Sequence, residues 1–112
     1  MQAGDIGDAL SQLERGLYNK NNPAGYMLER VRRLIAAFES KLGEDAEIGM
    51  TVSAGSTIRL RSIGASDPDM LIFTGLDDHG AKACLLQHHS QLSLLLVAVP
   101  KIEDKPFRIG FV

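Results

Sequence analysis

Along the first part of the chain apolar residues recur at steps of four, three and four, as Ile6, Leu10, Leu13 and Leu17. That is the narrow stripe of an amphipathic helix, weakened by Gly7 and Gly16. The polar break "YNKNN" at 18–22 separates it from the rest, so residues 1–20 read as an N-terminal helical arm and residues 21–112 as a single domain. A stronger helix starts at Asn22, a good N-cap, with Pro23 in the first helical position, where its missing N–H costs nothing. Met27, Val31, Leu34, Ile35, Phe38 and Leu42 form its apolar stripe, and Gly43 is placed to end it.

From residue 47 the period changes to two. Ile48, Met50, Val52 and Ala54 alternate with Glu47, Gly49, Thr51 and Ser53, a strand with one buried face; Ile58 and Leu60 then alternate with Arg59 and Arg61. A two-residue turn between them would pair Val52 with Arg59 and put the arginines on the apolar face. A three-residue loop, Gly55-Ser56-Thr57, pairs Val52 with Leu60 instead and keeps the faces consistent. After the turn cluster "SDPD", the continuous apolar run 70–76 belongs in the centre of a sheet, covered on both faces. "DDHG" closes a second hairpin onto "AKACLLQH". With Asp78 and His79 as its central residues, Leu76 stands opposite Ala81, Ile72 opposite Leu85 and Asp69 opposite His88.

Ser90 can cap a helix over 91–99, with Leu92, Leu95, Leu96 and Val99 on one face, although "LLLVAV" is apolar at any period and fits a strand as well. "KPFRIGFV" alternates again and reads as a closing strand. The fold class expected is α+β: two layers, a mostly antiparallel five-stranded sheet with helices packed on one face.

Composition narrows the functional classes. A chain of 112 residues, 45% hydrophobic and 23% charged, can bury one core. A net charge of −2 argues against a nucleic-acid binder, which needs clustered Lys and Arg. The one cysteine, Cys84, excludes an intrachain disulfide, suits a reducing cytosol and reads as a buried core residue. Asp5 and Asp8 stand where a secretory signal would be basic, and the longest apolar run falls far short of a membrane span. The expectation is a cytoplasmic protein that engages neither membrane nor nucleic acid.

The segments "NPAGYMLERV" at 22–31, "SQLSLLLVAVPK" at 90–101 and "KPFRIGF" at 105–111 together resemble a small bacterial family of uncharacterised single-domain proteins, a domain of unknown function. The resemblance covers residues 20–111. It implies a single bacterial cytosolic domain and carries no activity, ligand or catalytic residue.

Candidate chemistry gathers around three places. Asp77, Asp78, His79, His88 and His89 are all metal-ligand types, but His79 lies in a turn about 30 Å along the strand from His88, and strand neighbours His88 and His89 point to opposite faces. No metal site and no cofactor are expected, since the spacings that hold zinc or cradle a phosphate are missing. His88 opposite Asp69 is better formed, because a carboxylate beside an imidazole fixes its tautomer as a general base requires. These two are the catalytic candidates. Arg59 and Arg61, and Ser90 at a helix start, are the ligand-binding candidates; bland alternatives for the arginines are solvent or a cross-strand pair with Glu47. Finally, apolar residues occupy both faces of the two central strands: Met70, Ile72 and Leu76 on one, Leu71, Phe73, Cys84 and Leu86 on the other. An uncovered apolar face marks an interface, here a homodimer through the sheet's open face or through the arm at residues 5–17. The leading expectation is a bacterial interaction or ligand-binding module, and the rival a small hydrolase or isomerase using His88 with Asp69.

Overall fold

A computed structural model of the chain describes residues 21–52 and 55–109. The helical stripe expected at residues 5–17 lies outside them, as does the end of the apolar alternation at Phe111. Helix α1 spans Pro23–Glu39, and the five strands are β1 Ala46–Thr51, β2 Thr57–Ser66, β3 Met70–Leu76, β4 Lys82–His88 and β5 Leu95–Pro100. The strands form one sheet in the order β4-β3-β2-β1-β5, antiparallel throughout, with α1 on one face. The fold is α+β.

The helix begins as its sequence dictates. Asn22 Oδ1 accepts the Gly25 N–H at 3.0 Å behind Pro23, and the Ala24 N–H donates to the Pro68 carbonyl at 2.9 Å, tying the first turn to the β2–β3 connection. Its end differs from expectation. The helix stops at Glu39 with Ser40 as cap, Lys41 and Leu42 tighten into i→i−3 bonds, and Gly43 does not adopt the left-handed backbone of a C′ glycine. Val31 and Ile35 are buried while Leu34, on the flank of the stripe, is 66% exposed.

Against the helix lie Ile48, Met50, Ile58, Leu60, Ile63, Leu71 and Phe73. In β2 the inward residues change from even to odd numbers between Leu60 and Ile63, because a β-bulge shifts the β2–β3 register between Leu60 and Ser62. Arg61 is the extra residue. The bulge presses the Arg59 carbonyl onto β3 so closely that a Cβ at Gly75 would lie 2.0 Å from that oxygen.

Both hairpins close by one device. The Val52 N–H donates to Ser56 O at 3.0 Å and Gly55 N–H to Val52 O at 2.9 Å; likewise Asp77 N–H donates to Ala81 O at 2.8 Å and Gly80 N–H to Asp77 O at 3.0 Å. Gly55 and Gly80 carry the positive φ, +83° and +79°, that ends each three-residue loop. The first loop has the expected length but sits two residues earlier, so that Met50 pairs with Ile58 and Gly49 with Arg59 rather than Val52 with Leu60. A shift by two preserves the faces. The second expectation was a two-residue turn, and it is off by one. Leu76 pairs with Lys82, Ile72 with Leu86 and Met70 with His88, because a single glycine supplies one left-handed position where a two-residue turn of the common type needs two. The slip changes faces: Cys84 and Leu86 share the open face with Ile72 and Leu76, and Cys84 is exposed, not buried.

Residues 91–99 are not a helix. A short 3₁₀ turn at His89–Gln91 leads into β5, which pairs along β1 from Ala46↔Pro100 to Thr51↔Leu95. The closing strand expected at 105–111 is also replaced over its described residues. The Phe107 N–H goes to Glu47 Oε2 at 2.7 Å and the Ile109 N–H to Glu39 Oε2 at 2.8 Å, so carboxylates take the donors that a ladder would have used. No helix among the described residues is long and apolar enough to cross a membrane.

The Gly75 contact yields a stability test. Gly75→Ala should lower unfolding free energy by about 3 kcal/mol, since a backbone oxygen cannot rotate away. Gly64→Ala, whose Cβ would meet nothing within 4 Å, should change it by less than about 1 kcal/mol in the same urea titration.

Candidate functional site

The open face of the sheet has two unlike halves. Over β1, β2 and β5 lies a polar knot centred on Glu47, whose residue is only 1% exposed although its side chain leaves the face away from the helix. Pairing at Gly49↔Arg59 and Thr51↔Thr57 sets Glu47 across from Arg61, and the bulge keeps both arginines on this face. Arg59 Nη1 donates to Glu47 Oε1 at 2.8 Å and also to the Pro100 carbonyl; Arg61 Nη2 reaches the same carboxylate oxygen at 3.5 Å. The Phe107 ring lies 4.3 Å from the Arg61 guanidinium carbon, a cation–π stack. Arg108 completes the attachment of segment 101–109 by donating to Ala46 O at 2.7 Å and Gly43 O at 3.0 Å.

Burial opposes ionisation of Glu47. The Phe107 N–H, the Arg61 charge and the Arg59 hydrogen bond outweigh it together and hold the carboxyl below its usual range. Of the two bland alternatives expected for the arginines, solvent or a cross-strand pair with Glu47, the structure has the pair. Two guanidinium groups share one carboxylate. Arg61 Nη1 is buried without a hydrogen-bond partner. A cleft of about 510 Å³ opens beside it, between β3 and segment 101–109, lined by Arg61, Leu76, Ile102, Lys105 and Phe107 among others. A second, mostly apolar depression of about 400 Å³ continues from Arg61 past Leu76 to Lys82 and Cys84.

His88, Asp69 and Ser90 meet at the opposite rim. His88 Nε2 lies 3.8 Å from Asp69 Oδ2, longer than a hydrogen bond, with side chains 40% and 50% exposed. Ser90 Oγ is 2.7 Å from His88 Nδ1, and the Ser90 N–H donates to that nitrogen at 3.2 Å. His88 is thus the cap of the 3₁₀ turn, the place expected for Ser90 on a longer helix. Asp69 stands opposite His89, whose N–H donates to the Asp69 carbonyl at 2.9 Å, rather than opposite His88. The two histidines do not point apart either. The 3₁₀ turn breaks strand alternation after His88 and brings the rings to 4.5 Å. Among the described residues no group of three or more His, Cys, Asp or Glu is placed to hold a metal ion.

Sequence reasoning missed Phe107 as a partner of the arginines, and nothing in the spacing of 105–111 distinguishes a strap from a strand. The bulge did leave a signal: the apolar period skips one residue between Leu60 and Ile63. Together these features define an α+β domain whose sheet face combines a strapped arginine–carboxylate knot with an apolar strip on which Cys84 and Leu86 are exposed. No family model, curated protein or solved structure matches the chain.

Glu47 makes a pH prediction. Its folded pKa is depressed, so its contribution is fully present above the unfolded value near 4.5 and fades as pH falls below that through the folded value. Glu47→Gln should destabilise the protein by about 2–3 kcal/mol at pH 7, somewhat less than for a fully buried pair because the arginine side chains are about a quarter exposed. In urea titrations the difference between the two proteins should narrow in acid, where the native carboxyl is protonated.

Proposed function

We propose that the protein is a non-catalytic interaction or ligand-binding module that works as a homodimer, two copies joining through the free edge of β4. The carrying observation is the strip on β3 and β4 formed by Met70, Ile72, Leu76, Cys84 and Leu86, with Leu86 63% exposed, beside a strand that ends the sheet. Isolated exposed leucines need no explanation, but a contiguous row next to an open edge does.

The register of such a pairing follows from the ladder. Bonds at Asp77–Ala81 and Asp69–His89 mark odd-numbered residues of β4 as those facing β3. Lys82, Cys84, Leu86 and His88 therefore turn their N–H and C=O groups to the free edge. A two-fold axis at Leu85 overlaps all seven residues of β4, sets Cys84 beside the second copy's Leu86, and brings Lys82 level with its His88. Asp69, 3.8 Å from His88, then meets the incoming lysine. This charge match and the self-complementary row support a second copy of the chain over an unrelated partner.

The rival reading, hydrolase or isomerase chemistry on His88 with Asp69, has the in-line approach of Ser90, His88 and Asp69 in its favour. Their exposure and the distance of 3.8 Å favour binding over catalysis. A bacterial, cytosolic setting is supported by the segment resemblance and by the unpaired Cys84.

Sedimentation provides the test. The native protein should sediment as a dimer at high micromolar concentration, and Leu86→Lys should weaken association by about tenfold or more. Leu34→Lys, on the far side of the helix, should leave it unchanged. A monomeric native protein would sink the proposal.

A further inference from the structure

We infer that the cleft beside Arg61 binds an amphipathic carboxylate, a small organic acid with an aliphatic or aromatic body. This rests on the ligand-binding part of the reading above and names the ligand class.

The argument begins with charge. In the knot, Arg59 takes the short contact to Glu47 and the Pro100 carbonyl, while Glu47's other oxygen is held by the Phe107 N–H. Arg61 is left with one long contact at 3.5 Å, a ring stacked on its face, and an Nη1 that is buried with no acceptor. A guanidinium presents its donors as a planar fork suited to a carboxylate, and an unmet donor in a partly buried place favours an anion strongly. Arg61 lines the cleft while Nη1 itself is buried, so the guanidinium must turn for Nη1 to meet a ligand there. Lys105 lines the same cleft, and Arg108, already satisfied by two carbonyls, adds positive field. Cations outnumber the carboxylates there, Glu47 and Glu103, and both oxygens of Glu47 are occupied.

The apolar part of the ligand follows from the remaining walls. Leu76, Ile102 and Phe107 line the cleft, and Ile102 is 57% exposed. From Arg61 the floor continues past Leu76 into the apolar depression that ends at Cys84. A bare phosphate or acetate would meet the charge and leave these walls wet; a neutral hydrocarbon would leave Arg61 unmet. An amphipathic carboxylate satisfies both, with its head at Arg61 and its body along Leu76.

The test is a titration of the isotope-labelled full chain with sodium octanoate below its micelle range, followed by amide chemical shifts. Saturable shifts are expected at residues 59–61, 76 and 102–108, with a dissociation constant of about 0.1–1 mM for a ligand of about ten heavy atoms. Octanamide, acetate and inorganic phosphate should not compete. Arg61→Gln should weaken binding by about tenfold or more, and Arg61→Lys by less, because lysine keeps the charge without the fork. Since Arg61 also supports Glu47, Ile102→Asp serves as a second variant that leaves the knot intact and should likewise weaken binding. The inference is overturned if octanoate gives no saturable shifts, if folded Arg61→Gln and Ile102→Asp both bind octanoate like the native protein, or if inorganic phosphate displaces it. Sedimentation of the same samples separates the two proposals: a dimer that ignores octanoate removes the ligand class alone, and a monomer that binds it removes the edge pairing alone.

Discussion

A single buried carboxylate organises the open face of this protein. Glu47 leaves β1 on the side opposite the helix, where solvent would normally receive it, yet it is enclosed. Enclosing a charge is unfavourable unless partners replace its water, and here they come from three separate stretches: two arginines of β2, the main chain at Phe107, and through Arg59 the end of β5. Each partner depends on the others. Without the strap Glu47 would be wet and its pull on the arginines screened; without Glu47 the strap would lose the acceptor for its Phe107 N–H and face two uncompensated guanidinium groups. The segment after Pro100 therefore crosses the sheet as a strap, not as a sixth strand, because its donors find stronger, charged acceptors in Glu47 and Glu39.

The knot exists only because register puts its members on one face. The side-chain period in a strand is two, so the three-residue loop ahead of Ser56 and the bulge at Arg61 jointly decide where the arginines point. The loop aligns Arg59 and Arg61 with Glu47; the bulge then lets the apolar set of β2 change parity so that Ile63 still reaches the helix side. Gly75 accommodates the backbone displaced by this correction. Loop, bulge and glycine form one geometric unit, although they lie on separate stretches of the chain.

Much of this was legible in the residues, and the failures share a cause. The helix start at Asn22-Pro23, the strands around 48, 58, 72 and 84, and the α+β class follow from period and turn chemistry. Each miss falls where local pattern is degenerate and a distant partner decides. "LLLVAV" suits helix or strand alike, and β1's unpaired edge selected strand. Phe107 and Ile109 alternate as a strand would, yet carboxylates sixty and seventy residues away in sequence took their donors. The second hairpin turned on whether one glycine or two left-handed residues closed it, a difference of one residue that moved Cys84 and Leu86 to the other face. At the candidate site Asp69 stands opposite His89, one residue from His88, and lies just before β3 begins; the two side chains come to 3.8 Å only where the ladder ends, beyond hydrogen-bond reach.

The two edges of the sheet differ in how they are finished. At one edge β5 closes with Pro100, which has no N–H to offer, and the chain turns back immediately after it with its carbonyl already bonded to Arg59. That edge is blunted. At the other, β4 carries no proline, its one charged residue stands at its first position, and its outward row alternates with the Leu85 and Ala83 side chains that pack toward the core. Proteins usually protect such an edge with charges, bulges or a covering segment. Here segment 101–109 covers the Glu47 half of the face, and among the described residues no segment covers the β3–β4 half. The knot thus encloses one half of the face, while on the other half Cys84 and Leu86 stand exposed.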